Sequence, residues 1–193
     1  LDRLAAAPGR AHGHGAVPAR HLAGEARILE MVARGTLLPE VLSAVCRLIE
    51  DLSAGAWCGI LLVDATSGTL AHGAAPSLPE SYNCSIHGRP VNPDSGPCAM
   101  AAFTCQQVLT TDIAMESRWE SQGWRKLALA HGLGACWSTP ILASDGRALA
   151  TFAIYWREPR APTAEDQRLI RSHRQSSKHK ESNIQISNCG DRV

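Results

Sequence analysis

The stretch from Gly132 to Arg160, GLGACWSTPILASDGRALATFAIYWREPR, constrains the fold more than any other part of the chain. β-Branched and aromatic residues dominate both of its arms, and Ser144-Asp145-Gly146 between them offers a tight reversal. The reading is a β-hairpin.

The segments upstream fill in the other elements. Apolar residues recur at helical spacing through Leu22, Ala26, Leu29 and Val32, and again through Val41, Leu42, Val45, Leu48 and Ile49. Two helices fit, divided at Gly35-Thr36. Trp57 to Val63 is short and continuously apolar, and Asp64 with Ser67-Gly68 supplies a turn before Thr69 to His72, which predicts a second hairpin. Pro79 to Ile86 predicts a short helix opened by its proline, and Pro90 and Pro93 allow only an edge strand or an extended loop between them. Gly96 to Cys105 is rich in small residues and reads as a helix. Gln107 to Thr111 reads as a strand, and Gln122 to His131 as a helix stopped by Gly132. A last helix is predicted from Thr163, which can cap it with Asp166 in the reciprocal position, through Ile170.

The chain of 193 residues is long enough for one compact core with extra segments, and its formal charge of +1 gives no field that calls for nucleic acid or a membrane surface. No apolar run approaches the roughly 20 residues that span a bilayer, which leads us to expect a cytoplasmic protein without membrane insertion. Seven cysteines without CxxC pairs argue against a disulfide framework and a zinc ribbon, and read as reduced, mostly buried small hydrophobes. Residues 1–20 read as a flexible linker, 21–36 as a linker helix, 37–171 as the folded domain and 172–193 as a polar, disordered tail without the apolar stripe of a packed helix. The start at Leu1 and the polar end suggest a fragment, or a truncated or frameshifted gene product, that lacks an output domain.

From about Leu37 to Ile170 the chain resembles a GAF domain of bacterial signal-transduction proteins, such as sensor histidine kinases and cyclic-nucleotide signalling proteins. The likeness is carried by an ordered series: Gly96-Pro97-Cys98 with Ala101, Val108 to Ile113, Trp119, Ala130-His131-Gly132-Leu133, Trp137-Ser138-Thr139-Pro140-Ile141 and Thr151-Phe152-Ala153. It implies an α+β fold, with a central antiparallel sheet of about six strands, terminal helices on one face and a small-molecule pocket on the other. Signals would pass through the terminal helices, which would also form a homodimer. The family usually has glycine where this chain has Ala99 and Ala150. If either backbone needs a positive φ, alanine costs on the order of 1 kcal/mol.

Trp124, Trp137, Phe152 and Tyr155 are the aromatic residues that alternation along strands can bring to a pocket, and Trp137 beside Ser138 is the expected ligand wall. The expected ligand-binding set is Trp137, Ser138, Trp124, Tyr155 and Cys98. The ligand and any cofactor are unidentified. Cys98 and Cys105 invite an enzymatic alternative, because free methionine-(R)-sulfoxide reductases are GAF proteins with a Gly-x-Cys-Gly motif that Gly96-Pro97-Cys98-Ala99 partly resembles. Those enzymes also need a peroxidatic cysteine after the Asp-Ile/Val segment, and Asp112 to Lys126 contains none. The expectation is therefore a noncatalytic sensory domain that binds a small molecule or mediates dimerisation, with the reductase-like enzyme as the alternative. Cys84 and His87 have the spacing of a metal pair but lack a second pair, so no metal is expected. His131 reads as a helix C-terminal residue favoured by the macrodipole.

Overall fold

The computed structural model describes residues 16–163. Of the linker expected at residues 1–20, residues 1–15 lie outside them, as do most of the helix expected from Thr163 and the expected tail. Helix α1 (Ala16–Ala33) opens earlier than His21, and Pro18 stands in its first turn, where a missing N–H is harmless. Helix α2 (Leu38–Leu52) follows after the break at Gly35-Thr36, with Pro39 near its start. Next come β1 (Trp57–Asp64), β2 (Thr69–Ala74), α3 (Glu80–Ile86), α4 (Pro97–Thr104), β3 (Val108–Thr110), α5 (Trp124–Ala130), β4 (Ala135–Leu142) and β5 (Ala148–Trp156).

The strands form one antiparallel sheet in the order β2-β1-β5-β4-β3. It has five strands where about six were expected. The missing one is the Pro90–Pro93 segment, which is reduced to a single bridge between Pro90 and Thr69. The amides of Gly88 and Val91 donate to β2-side carbonyls and Leu70 N–H donates to Arg89, but two prolines cannot donate, so the ladder stops there. The β4–β5 hairpin turns where Asp145-Gly146 predicts, with Gly146 at φ +84°.

Alternation of side chains separates two buried layers. On one face Cys58 and Ile60 of β1 and Phe152 and Ile154 of β5 meet Leu42, Val45, Cys46 and Ile49 of α2. On the other, Leu61, Cys136, Ala153 and Tyr155 meet Tyr82 and Ile86 of α3, Cys98 and Ala101 of α4, and Trp124 and Ala128 of α5. Helix α5 ends as expected: Gly132 at φ +72° lets Leu133 N–H donate to Ala128 and Gly132 N–H to Leu129, which satisfies carbonyls of the last turn. Ala99 and Ala150 carry no strain, since the one non-glycine residue with positive φ among those described is Cys105, at the end of α4.

Candidate functional site

The face of the sheet away from α2 carries a row of polar residues set by register. Thr110 pairs with Cys136, and Cys136 with Tyr155. Ser138 lies two residues along β4 from Cys136, and Thr151 lies four before Tyr155 on β5, so the strand period of two turns all of them to the same side. Helix α4 packs across β3, β4 and β5 and brings Cys98, the second residue of the helix, down onto this row. All six side chains are buried.

Their hydrogen bonding is incomplete. The Cys98 sulfur and the Tyr155 hydroxyl lie 3.6 Å apart, with either as donor. The hydroxyls of Thr110, Ser138 and Thr151 make no conventional hydrogen bond, nor does that of Ser95, close before α4. Buried hydroxyls are nearly always paired, so a group of unpaired ones marks an unfilled demand for hydrogen bonds. Aromatic rings roof the row. Trp124 Nε1–H donates to the Tyr82 hydroxyl at 3.2 Å, the Tyr82 and Tyr155 rings meet edge to face at 5.8 Å, and Trp119 meets Trp124 at 5.3 Å.

The environment separates the thiols. Cys98 is pulled down to about 7 by its hydrogen bond with Cys136, against the opposing effect of burial, and the hydroxyls of Ser138, Tyr155 and Thr151 act in the same lowering direction. Burial, followed by the interaction with Cys98, pushes Cys136 well up. Burial likewise raises Tyr82 and Tyr155, which stay neutral hydrogen-bonding groups.

Of the five expected ligand-binding residues, Cys98, Ser138, Trp124 and Tyr155 share this face. Trp137 does not. Adjacent strand residues point to opposite sides, so Trp137 and Ser138 cannot form one wall. Trp137 instead packs on Trp156, with ring centroids 3.9 Å apart, and its Nε1–H donates to the Arg160 carbonyl at 3.1 Å. Phe152 faces α2 for the same reason. Sequence reasoning misses Thr110, Cys136, Thr151 and Tyr82 as site residues, although the alternation that groups Cys136 with Ser138 and Thr151 with Tyr155 is a signal for two of them.

The remaining candidates separate. Cys98 and Cys105 stand at opposite ends of α4, about 10 Å apart along its axis. His131 sits just past α5, with Nδ1 against the Leu127 carbonyl at 2.9 Å and Nε2 against Ser81 Oγ at 3.0 Å, a local capping arrangement. Cys84 is exposed, and His87 Nδ1 accepts from His72 N–H. Among the described residues no three potential metal ligands cluster.

The model of the GAF domain family matches residues 35–172. The chain belongs to the GAF family. Over 147 residues this GAF domain is 37% identical to the methyl sulfide methyltransferase-associated sensor of Methanosarcina acetivorans, an alignment that takes in 76% of this chain but only 14% of the relative's length. In structure it is similar to the GAF domain of an Acinetobacter phosphoenolpyruvate-protein phosphotransferase, with a TM-score of 0.58 at 13% identity over 87% of this chain and 97% of that one. It is also similar to the free methionine-R-sulfoxide reductase of Neisseria meningitidis, with a TM-score of 0.55 at 17% identity over 80% of this chain and 78% of that one. At such identities both structures speak for the fold alone. No helix among the described residues is long and apolar enough to cross a membrane.

Proposed function

We propose that this GAF domain is a noncatalytic sensory domain that binds a small molecule between α4, α5 and the sheet and regulates a signalling protein of the two-component kind. The observation that carries the reading is the set of buried hydroxyls of Thr110, Ser138 and Thr151 on one face of the sheet, none of them with a conventional hydrogen-bond partner, with Ser138 and Thr151 beside the Cys98 thiol. A ligand with polar edges would satisfy them, while Trp124 and Tyr155 would cover its apolar surface. Binding requires the aromatic roof to shift, because the rings now occupy that space. The sensor relative supports the same reading. We take the domain to work in the cytoplasm, where thiols stay reduced.

The reductase-like fold raises the enzymatic alternative, but a sulfoxide reductase needs a thiol nucleophile at the substrate sulfur, and Asp112 to Lys126 supplies none. Purified protein given free methionine-(R)-sulfoxide and a dithiol reductant should show no turnover. Turnover that disappears in Cys98→Ser would replace the sensor reading with the enzymatic one.

We also propose that α1 pairs with its copy in a homodimer. Leu22, Leu29 and Val32 are 66%, 64% and 58% exposed, and their spacing lays them along one stripe of the helix. An apolar stripe left open in one chain is what a helix pair buries.

A further inference from the structure

Away from the polar row of the sheet, Ser81 and His131 bring a nucleophile and a base together from two helices distant in sequence. Ser81 is the second residue of α3, and His131 stands just past the end of α5. The His131 Nδ1 lies 2.9 Å from the Leu127 carbonyl oxygen, and its Nε2 lies 3.0 Å from Ser81 Oγ. A carbonyl only accepts, so in the neutral imidazole the ring proton sits on Nδ1, and Nε2 is left to accept the Ser81 hydroxyl proton. The Tyr82 ring meets the imidazole edge to face, with centroids 5.4 Å apart, and helps to hold its plane. Nucleophile, base and a third group that orients the base are thus in place, with the Leu127 carbonyl standing where a carboxylate serves in a catalytic triad. Ser81 is exposed, so a reagent can reach it. Ser85, one turn further along α3, supplies the contrast: it is exposed too, but its hydroxyl donates to the Ser81 carbonyl at 2.8 Å, a group that cannot take the proton away.

We propose that Ser81 is an acylation site, with His131 as its general base and an activated ester as the acyl donor. Ser81 Oγ attacks the ester carbonyl carbon while its proton passes to His131 Nε2. The bond from that carbon to the leaving oxygen then breaks, the leaving group departs as its oxyanion, and the imidazolium gives its proton to solvent. One ester and one serine become one O-acyl serine and one free alcohol or phenol. The donor is an activated one because the base alone is called on to lower the barrier. Once acylated, Ser81 no longer donates to Nε2, so the side-chain bond between α3 and α5 is lost beside Tyr82, whose hydroxyl accepts from the Trp124 indole. The modification therefore reaches the aromatic roof from its outer side. It needs no ligand on the Cys98–Tyr155 face, so it stands or falls apart from the sensory reading.

The test uses the full chain, with the exposed thiol of Cys84 blocked by N-ethylmaleimide, given p-nitrophenyl acetate and mapped by peptide mass over time. The expected result is an acetyl group on Ser81 well before any on Ser85, at a rate that falls by about 100-fold in His131→Gln, the scale of a general base. In Ser81→Ala the early acetyl on α3 should disappear. Acetylation of Ser81 no faster than that of Ser85, or at an unchanged rate in a His131→Gln protein that keeps its native near-ultraviolet circular dichroism, would overturn the proposal. If His131→Gln does not fold, the wild-type protein decides: a preference for Ser81 over Ser85 that is lost in urea supports the dyad, and one that persists in the unfolded chain contradicts it.

Discussion

The Trp124 indole lies so close over Gly96 that a Cβ on that glycine would sit 2.8 Å from the ring. Gly96 also holds φ +121°, a backbone state that side chains rarely adopt. These two constraints place the first turn of α4, and with it Cys98, under the aromatic roof. Gly96→Ala should therefore cost about 2–4 kcal/mol, from backbone strain together with a displaced ring. Urea unfolding with an unchanged denaturant slope would show it, along with a shift in tryptophan emission. A loss below about 0.5 kcal/mol would contradict the close packing.

Glu50 of α2 holds the helix to the sheet. Its Oε1 accepts the Cys58 N–H at 2.7 Å and its Oε2 accepts the Ser77 hydroxyl at 2.7 Å. Glu50→Ala should destabilise by about 2–3 kcal/mol, because it leaves a largely buried amide unpaired. Glu50→Gln, which keeps one acceptor, should lose less. Equal losses in the two variants, measured by chemical unfolding, would place the effect in packing instead.

Stability should fall steeply in alkali. The thiols of Cys46, Cys58 and Cys136 are raised above their ordinary 9.0, and Tyr82 and Tyr155 above 10.0. Above pH 9.0 the unfolded chain releases thiol protons that the native state retains. The unfolded state then binds fewer protons, so the stabilisation is complete below that pH and is lost as pH rises, by about 1.4 kcal/mol per pH unit for each such group. Cys98, lowered to about 7, acts in the opposite sense between there and 9.0, so the net fall begins above that window. Urea midpoints measured across this range should decline, and Cys46→Ala should flatten the decline.

Leu29→Glu should make the protein monomeric without lowering the stability of the single chain, because Leu29 is 64% exposed on α1. Sedimentation equilibrium reads the mass directly. A persistent dimer would move the interface elsewhere.

The elements legible in the sequence are those whose signals are local. Asp145-Gly146 marked the last hairpin, Gly132 the end of α5, and the prolines at 90 and 93 the weakest strand position, which the structure reduces to one bridge. What failed depends on which side of the sheet a residue faces. Trp137 and Ser138 are neighbours in sequence and therefore opposites in space, so an expectation built on adjacency joined two residues that the strand separates. The packing of α4 across β4 and β5, which sets Cys98 over the polar row, is also invisible in the sequence, because it depends on how a helix crosses strands distant along the chain. Ala99 and Ala150 looked costly only while their backbone angles were unknown; one lies in a helix and the other in a strand, where a methyl group fits.

Native mass spectrometry of the protein purified from its own host, followed by denatured mass on the same sample, tests the sensory reading most directly. The prediction is a small molecule that is retained in the native spectrum, lost on denaturation and absent from a folded Ser138→Ala, Thr151→Ala double variant. A bare native mass, or a bound molecule that the double variant keeps unchanged, would contradict ligand binding on the Cys98–Tyr155 face.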